Sequence, residues 1–329
     1  MKKFVSVLLC LVLGAFSLSA VTSCIPSVEN DNEKLNIVTT VFPEYEWTKA
    51  VLGDNADNAN ITLLLDNGVD MHSYQPTAED IINISTCDML VYVGGESDRW
   101  IEDILKDAKN KDMAVINLID VLGDSVKEEE TVDGMQGDSD HDHDHDHENE
   151  TEIDEHVWLS LKNAKLFCSE IAGKLAKIDS DNAEKYAENA EIYIEKLTEL
   201  DLRYQDTVDS ASKDTLIFAD RFPFLYLVSD YGIDYYAAFP GCSADTNANF
   251  ETIIFLSKKL DELDLSSVLV IDSANGKIAD TVVENTKNKN KKILVMNSMQ
   301  SVTSYDIENG VTYLSVMESN LSVIKTALQ

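Results

Sequence analysis

The chain has 329 residues, and 60 Asp and Glu against 26 Lys and Arg give a formal net charge of -34 at pH 7. This charge argues against nucleic acid and anionic membrane surfaces as partners and favours cations. The length suggests two domains of ordinary size. The five Cys form no CxxC pair, which indicates neither a disulfide framework nor a Cys-rich zinc site.

The N-terminus has the pattern of an export signal. Two Lys precede an apolar run, residues 4–20, that is too short to be a convincing transmembrane helix. The run ends in the sequence VTSC, and small residues before Cys24 resemble the bacterial lipobox, in which the Cys is lipidated. An ordinary signal peptide with an incidental Cys is the alternative. We predict a signal peptide over residues 1–24 and a polar tether over residues 25–34.

Strand and helix patterns alternate from residue 35 to residue 118. The predicted strands are 35–42, 61–65, 89–93 and 114–118, and the predicted helices are 45–52, 77–84 and 100–108. Pro43 stops the first strand, and Thr77 can cap a helix together with Asp80. Such alternation predicts an α/β lobe with a mainly parallel sheet, which we assign to residues 35–180.

An acidic stretch, residues 123–155, interrupts this lobe. It contains the alternating run His141, His143, His145 and His147 among Asp and Glu, with few residues for a core. Repelling like charges predict a mobile loop. Many imidazoles and carboxylates on a flexible backbone can bind several cations weakly, so we expect an auxiliary metal loop. A solvated low-complexity insertion with incidental affinity is the alternative.

A long helix divides the chain. After a helix at 160–176, apolar residues recur at steps of three and four from Ala183 to Val208, and Asp181 with Glu184 can cap the start. A helix of this length extends on the order of 40 Å. Its position between two α/β segments favours a spine over residues 181–210, although a surface helix is the simpler alternative.

A second α/β series follows and predicts a C-terminal lobe over residues 211–329. The predicted strands are 215–219, 235–239, 267–271 and 292–296, and the predicted helices are 224–229, 250–263, 277–287 and 311–328. No close internal repeat occurs in the sequence, yet the two halves look alike in architecture.

Only two of the six His lie beside predicted ordered elements. His72 follows a strand and precedes a helix, a position where open α/β sheets bind ligands, and His156 stands at the start of a helix. Each alone could be a hydrogen-bonded structural residue. Together they favour a metal site, and imidazole suits Zn, Cu, Fe and Ni.

These motifs resemble the substrate-binding lipoproteins of zinc and manganese ABC importers, the ZnuA-type or cluster A-I family. The resemblance covers essentially the whole mature chain and is carried by Cys24, by the segments 38–43, 68–77, 87–95 and 156–159, and by the spine. It implies two α/β lobes joined by a rigid helix, with a metal in the interlobe cleft and His72 and His156 as ligands. A His-rich acidic loop before the second ligand is similar to that of the zinc branch.

The C-terminal half departs from the family pattern. Where the family has a third His or a Glu, alignment on a downstream Tyr-Gly puts Arg221, which cannot ligate, so the adjacent Asp220 is the candidate. Asn297 falls where the family tends to have Asp, and Asp272 is a second carboxylate at a strand end. Helix capping or pairing with Arg221 would equally explain the two Asp.

A loop of small residues in the same half contains Cys242 and Asp245. We expect Cys242 to be a buried thiol beside a Gly turn rather than a thiolate ligand. Asp245 is a nearby carboxylate that the pattern does not rank.

We predict a binding protein and not an enzyme. It would capture zinc at the extracytoplasmic face of the cell membrane, to which a lipid anchor holds it, and deliver the metal to an ABC importer permease. Manganese or iron as cargo stays open, because a carboxylate-rich site suits harder ions. A metalloenzyme and a surface adhesin with a structural metal are the alternatives from other classes.

Overall fold

Two parallel sheets of four strands form the frame of the protein over the residues that the computed structural model describes, 34–137, 152–243 and 247–329. The strands of the first sheet are β1 (Leu35–Thr39), β2 (Ala59–Leu63), β3 (Met89–Tyr92) and β4 (Ala114–Asn117). The strands of the second sheet are β5 (Thr215–Phe222), β6 (Asp234–Pro240), β7 (Ser267–Ile271) and β8 (Lys292–Met296). Both sheets have the same order, β2-β1-β3-β4 and β6-β5-β7-β8, and every strand pair is parallel. The predicted α/β fold with two alike lobes is confirmed; we call them the first and second lobe.

Helices connect the strands, as parallel pairing requires. In the described ranges they are α1 (Phe42–Leu52), α2 (Ala78–Thr86), α3 (Arg99–Lys106), α4 (Leu118–Leu122), α5 (Leu161–Ile178), α6 (Ala183–Asp209), α7 (Leu225–Tyr231), α8 (Phe250–Glu262), α9 (Lys277–Glu284), α10 (Ser304–Glu308) and α11 (Tyr313–Ala327). The short helices α4 and α10 were not predicted. The predicted cap of α2 is present, because the side chain of Thr77 accepts from the backbone N–H of Asp80 and the Asp80 carboxylate accepts from that of Thr77.

The first strand is shorter than predicted because helix α1 begins before Pro43. Proline fits the first turn of a helix, where its missing N–H is not needed. The buried carboxylate of Glu44 accepts the backbone N–H groups of Thr40 and Val41, at 2.7 and 3.2 Å, and so ends the strand. The chain therefore turns into the helix at the carboxyl edge of the first sheet.

Strand β5 is longer than predicted and continues through Asp220 and Arg221 to Phe222. Its register against β6 shifts between Phe218 and Arg221, which then pairs with Phe239. Such irregularities re-aim side chains at the end of a strand. Here the shift places two charged residues at the carboxyl edge of the second sheet.

The long helix α6 has the predicted apolar stripe. Its buried residues are Tyr186, Ala190, Leu197, Leu200 and Tyr204. It packs along α5 and also contacts α1 and α11. The predicted cap by Asp181 is wrong, because a short 3-10 turn, Ser180–Asn182, precedes the helix and Asn182 gives no side-chain cap.

Most of the core is one continuous apolar cluster that includes residues of both lobes and of α5, α6 and α11. A smaller cluster lies between the second sheet and helices α8 and α9. Leu35–Gln329 form one compact unit. Among the helices of the described residues, none has the length and apolarity needed to cross a membrane.

Candidate metal centre

His72 lies on a short 3-10 turn, Met71–Ser73, in the loop after β2. The turn is fixed because Asp70 caps it, its Oδ1 accepting the backbone N–H of His72 at 3.1 Å, and because Met71 is buried. The Nδ1 atom of His72 lies 2.8 Å from Ser97 Oγ. The ring is 13% exposed, so it faces a narrow opening.

His156 is fully buried in the segment that leads into α5. One oxygen of Asp154, Oδ1, lies 2.8 Å from the backbone nitrogen and 3.0 Å from the Nδ1 atom of His156. The next residues form a buried 3-10 turn, in which the Trp158 indole donates to the Ser298 carbonyl oxygen at 2.9 Å. This contact ties the His156 segment to the loop after β8.

The two imidazoles face each other. Their Nε2 atoms are 3.3 Å apart, whereas each Nδ1 atom has an oxygen partner on the far side. The Asp154 carboxylate can only accept, so it places the proton of His156 on Nδ1 and leaves the Nε2 lone pair of this ring for a metal. Burial, together with the neighbouring His156, lowers the pKa of His72 to about 3, so this imidazole is neutral at pH 7.

The second lobe brings a third side chain of a type that can bind metals, Cys242, to the histidines from the loop after β6. Its sulfur and one nitrogen each of His72 and His156 lie within 4.8 Å of one another. Burial and the carboxylates of Glu129 and Asp154 raise the pKa of the thiol. We expected a buried thiol at this position; Cys242 is free and only partly buried.

Gly241 holds this loop against His156. A Cβ atom at position 241 would lie 2.9 Å from the Phe222 carbonyl oxygen and 3.1 Å from His156 Cε1. Only glycine lets the backbone approach the imidazole this closely. The pair Gly241 and Cys242 at the carboxyl end of a strand was the sequence signal for this position, since such ends are where α/β sheets bind ligands.

Polar groups of both lobes surround the histidines. Arg221 donates through Nη2 to Asp70 Oδ2 at 2.7 Å, which links the second lobe to the turn that carries His72. With its amide nitrogen turned toward Asp70, at 3.1 and 3.2 Å from the two carboxylate oxygens, Gln300 has its amide oxygen 3.1 Å from His156 Nε2. A cavity of about 260 Å³ beside this network is lined by Asp70 and Arg221.

Glu155, a carboxylate close to His72, is buried. Glu155 Oε1 accepts the backbone N–H of Ser97 at 2.8 Å, and its Oε2 lies 3.6 Å from His72 Nδ1. No hydrogen-bond donor reaches Oε2 within the part of the chain that the structure describes. Burial raises the pKa of Glu155. A cation bound at the histidines would therefore have an unpartnered carboxylate oxygen close by.

The predicted ligands Asp220, Asp272 and Asn297 lie outside the group formed by His72, His156 and Cys242, and local hydrogen bonds engage each of them. Asp220 accepts the backbone N–H of Arg221 at 2.9 Å and that of Ile271 at 3.2 Å. Asp272 accepts from Ser298 and Ser301, and Asn297 accepts the backbone N–H of Met299. Their roles as metal ligands stay predictions.

The acidic insertion begins and ends beside this site. Glu128 and Ile153 form an antiparallel bridge, and the backbone N–H of Asp154 donates to the Lys127 carbonyl oxygen at 2.9 Å. Glu129 Oε1 accepts the backbone N–H of Cys242 at 2.8 Å.

Several predicted features fall outside the described residues. They are the signal peptide, Cys24, almost all of the tether, Asp245 and the four histidines His141, His143, His145 and His147.

Comparison with known proteins gives one consistent result. A family model described as "ZnuA: Zinc-uptake complex component A periplasmic" matches residues 37–327. The chain is 30% identical over 302 residues to the high-affinity zinc uptake system protein ZnuA of Bacillus subtilis (strain 168), covering 92% of this chain and 90% of that protein. It is 32% identical over 293 residues to the zinc-binding lipoprotein AdcA of Streptococcus pneumoniae (strain ATCC BAA-255 / R6) and covers 89% of this chain, but only 55% of AdcA.

A solved structure agrees with these sequences. The crystal structure of the Zn(II)-bound ZnuA-like domain of Streptococcus pneumoniae AdcA superposes with a TM-score of 0.69 at 29% identity. The match covers 90% of this chain and 99% of that domain. The similarity therefore spans both lobes and the helices between them.

Proposed function

The chain belongs to the ZnuA family of zinc-uptake complex components, and on this premise we propose that it captures zinc outside the cell and delivers it to the permease of an ABC importer. This is a family of extracytoplasmic solute-binding proteins, not of enzymes, in agreement with the expectation from the sequence. Zinc is therefore the cargo, and the protein has to bind it reversibly.

The spacing of His72 and His156 carries the proposal. A tetrahedral zinc with Zn–N distances of about 2.0–2.1 Å places two ligand nitrogens about 3.3–3.4 Å apart. The two Nε2 atoms are 3.3 Å apart. Ser97 and Asp154 contact the two rings at Nδ1, so the rings are oriented before the metal arrives. Little ordering is then required on binding.

The donor set favours zinc over manganese. Two imidazole nitrogens suit zinc, whereas manganese prefers carboxylate and carbonyl oxygens. Among the carboxylates beside the histidines, Asp70 and Asp154 are engaged, by Arg221 and by His156 respectively. The zinc-bound domain of AdcA and the two curated zinc proteins support the same cargo.

We also propose how the protein is anchored, how its lobes close on zinc and how the histidine loop takes part. Cys24 is the lipid-anchored residue and becomes the N-terminus when the residues before it are removed, and residues 25–34 tether residues 35–329 to the membrane. The lobes at 35–180 and 211–329 close modestly on the metal, because the helix over 181–210 packs against elements of both and limits hinge motion. The run His141, His143, His145 and His147 collects zinc and passes it to His72 and His156.

Zinc titration of the purified protein tests the site. The parent, His72→Ala, His156→Ala and a variant with all four loop histidines replaced by Ala are stripped with a chelator and titrated against a fluorescent zinc competitor. We expect each cleft substitution to weaken the tight site by on the order of 100-fold or more, judged against the 10–100-fold typical for outer partners. The loop variant should keep the tight site.

The same titration contains the outcomes that would overturn the proposal. Parent-like zinc affinity in both His72→Ala and His156→Ala would show that the cleft is not the zinc site. Circular dichroism of the stripped parent is the second check. Loss of the fold on stripping would indicate a structural metal and would contradict a role in transport.

A further inference from the structure

We propose that Cys242 supplies the third protein ligand to zinc, as a thiolate, and so takes the place of the histidine that Arg221 cannot provide. The inference rests on the proposed function and names a ligand from the second lobe. It assigns the site a set of two imidazoles and one sulfur. Such a set selects for soft and borderline ions, zinc and cobalt among them, over manganese.

The geometry brings the sulfur to the two nitrogens. All three ligand atoms lie within 4.8 Å of one another. In a tetrahedral site with Zn–S of about 2.3 Å, sulfur and nitrogen lie about 3.6 Å apart. The remaining difference is at most about 1.2 Å, which a rotation of the Cys242 side chain and a small closure of the lobes can cover. The two nitrogens already have their ligand spacing, so only the sulfur has to move.

Two contacts fix the backbone that carries Cys242. Gly241 lies against the His156 ring, where a Cβ atom would come within 3.1 Å of Cε1. On the other side, the backbone N–H of Cys242 donates to Glu129 Oε1 at 2.8 Å. A loop held on both sides presents its side chain in one direction, which is what a ligand position requires.

Arg221 and Asp220, which lie at or beside the family's ligand position in the second lobe, make other contacts. Arg221 pairs with Asp70, and Asp220 accepts two backbone N–H groups at 2.9 and 3.2 Å. Within the described residues, His72, His156 and Cys242 are the one group of three or more His, Cys, Asp or Glu side chains with ligand atoms this close. The amide oxygen of Gln300, 3.1 Å from His156 Nε2, can complete a fourth position.

Zinc binding releases one proton from Cys242. The S–H bond of Cys242 breaks, its electron pair forms the bond to zinc, and the proton goes to solvent. Zinc then has two neutral ligands and one anionic ligand. A single negative ligand offsets half of the metal charge, and the surrounding carboxylates stay in their hydrogen bonds.

Cobalt loading tests the assignment directly. Cobalt(II) bound to a thiolate absorbs in the near ultraviolet through sulfur-to-metal charge transfer. We expect this band in the Co²⁺-loaded parent and in the matched controls Cys87→Ser and Cys168→Ser, whose thiols are buried away from the site. Cys242→Ser should lose the band and bind zinc at least ten-fold more weakly than the parent, while Cys242→Asp should gain manganese affinity relative to zinc.

A second readout avoids variants altogether. In the zinc-loaded parent, X-ray absorption at the zinc edge should show a sulfur neighbour at about 2.3 Å. Absence of the charge-transfer band in the parent, or a zinc shell without sulfur, overturns the role of Cys242. If His72→Ala and His156→Ala still abolish tight binding in that case, the proposed function stands. Parent-like affinity in those two variants would instead remove the proposed function.

Discussion

The guanidinium of Arg221 donates to Asp70 Oδ2 at 2.7 Å, two residues before His72, and so joins the second lobe to the turn that carries a predicted metal ligand. Asp70 uses its other oxygen, Oδ1, to hold the backbone N–H of His72. The residue that replaces an expected ligand therefore acts on the site through a charge pair. Both side chains are partly buried, at 16% and 22% exposed.

A double-mutant cycle on this pair should show coupling. Arg221→Met leaves Asp70 without its cation, and Asp70→Asn leaves Arg221 without its anion, so the double substitution should destabilise the protein by less than the sum of the two single substitutions. Residues in one network typically couple by about 0.5–3 kcal/mol. Urea unfolding of the four proteins measures the coupling. Additive effects, within error, would mean that the ion pair contributes nothing to stability.

The partners of the two Nδ1 atoms should tune zinc affinity. Asp154→Asn keeps an oxygen near His156 Nδ1 but removes the negative charge that makes the imidazole a better ligand. Ser97→Ala removes the oxygen next to His72 Nδ1. Losses of about 10–100-fold are typical for such outer partners.

Competition with a zinc chelator measures both variants. The stoichiometry of one tight zinc should not change, and unfolding curves should show that the fold is kept. Affinities equal to that of the parent would show that ring orientation does not depend on these oxygens.

Gly241 should not tolerate replacement by a residue with a side chain. In Gly241→Ala the new Cβ would lie 2.9 Å from a backbone oxygen of Phe222, so the loop has to move away from His156. Overpacking of this kind costs about 1–3 kcal/mol, and the displaced loop should also bind zinc more weakly.

Gly173→Ala is the matched control for that substitution. This glycine lies within α5, and no atom lies within 4 Å of its added Cβ. Alanine in a helix interior is favoured over glycine by about 0.8–1 kcal/mol, so the control should be stabilised. Equal effects of the two substitutions on stability would refute the close approach at Gly241.

The contribution of Asp98 to the stability of the metal-free protein should fall as the pH rises from about 4 to about 7, opposite in sign to that of His72, whose lowered pKa favours the folded state as the pH rises. Burial raises the pKa of Asp98 to about 7, with a further contribution from the charge of Glu155, whereas an unfolded Asp titrates near 3.9. A raised carboxyl pKa stabilises the folded state below the unfolded pKa, and this contribution disappears as the pH passes the folded pKa. Burial also raises the pKa of Glu44, which adds a contribution of the same sign.

Asp98→Asn should therefore remove this falling contribution, so that stability increases more steeply with pH than in the parent. Urea unfolding at several pH values in the presence of a chelator measures the slope, and Asp124→Asn, at an exposed position, is the control. A slope unchanged by Asp98→Asn would exclude this contribution of Asp98.

Deleting residues 138–150 should lower the number of zinc ions bound in excess zinc and leave the tight site intact. The deletion removes four histidines and spares the bridge between Glu128 and Ile153. Metal analysis of the dialysed protein counts the bound ions. Unchanged stoichiometry in excess zinc would refute the collecting role of the loop.

Elements with strong local patterns could be predicted from the sequence. The spine helix and the cap at Thr77 depend on spacing within one segment, and both are present. The end of β5 could not be predicted, because the strand continues through Asp220 and Arg221 only by pairing with β6. That pairing joins distant residues and leaves no local signature.

The same distinction applies to the metal centre. His72 and His156 could be singled out because each stands beside an ordered element. The structure places their Nε2 atoms 3.3 Å apart. Asp220 was a candidate because it stands next to Arg221, at the place where the family has a ligand; it accepts two backbone N–H groups, and its role as a ligand stays a prediction. Cys242 approaches the histidines only because Gly241 packs against His156, a contact that depends on tertiary structure.

The bridge between Glu128 and Ile153 has a consequence for how this protein can diverge. Backbone hydrogen bonds across residues 127–129 and 152–154 hold the chain just before His156 in place. The insertion beyond that bridge can then change in length or composition without moving the imidazole of His156. Changes in the number of histidines in the insertion therefore need not disturb the position of His156.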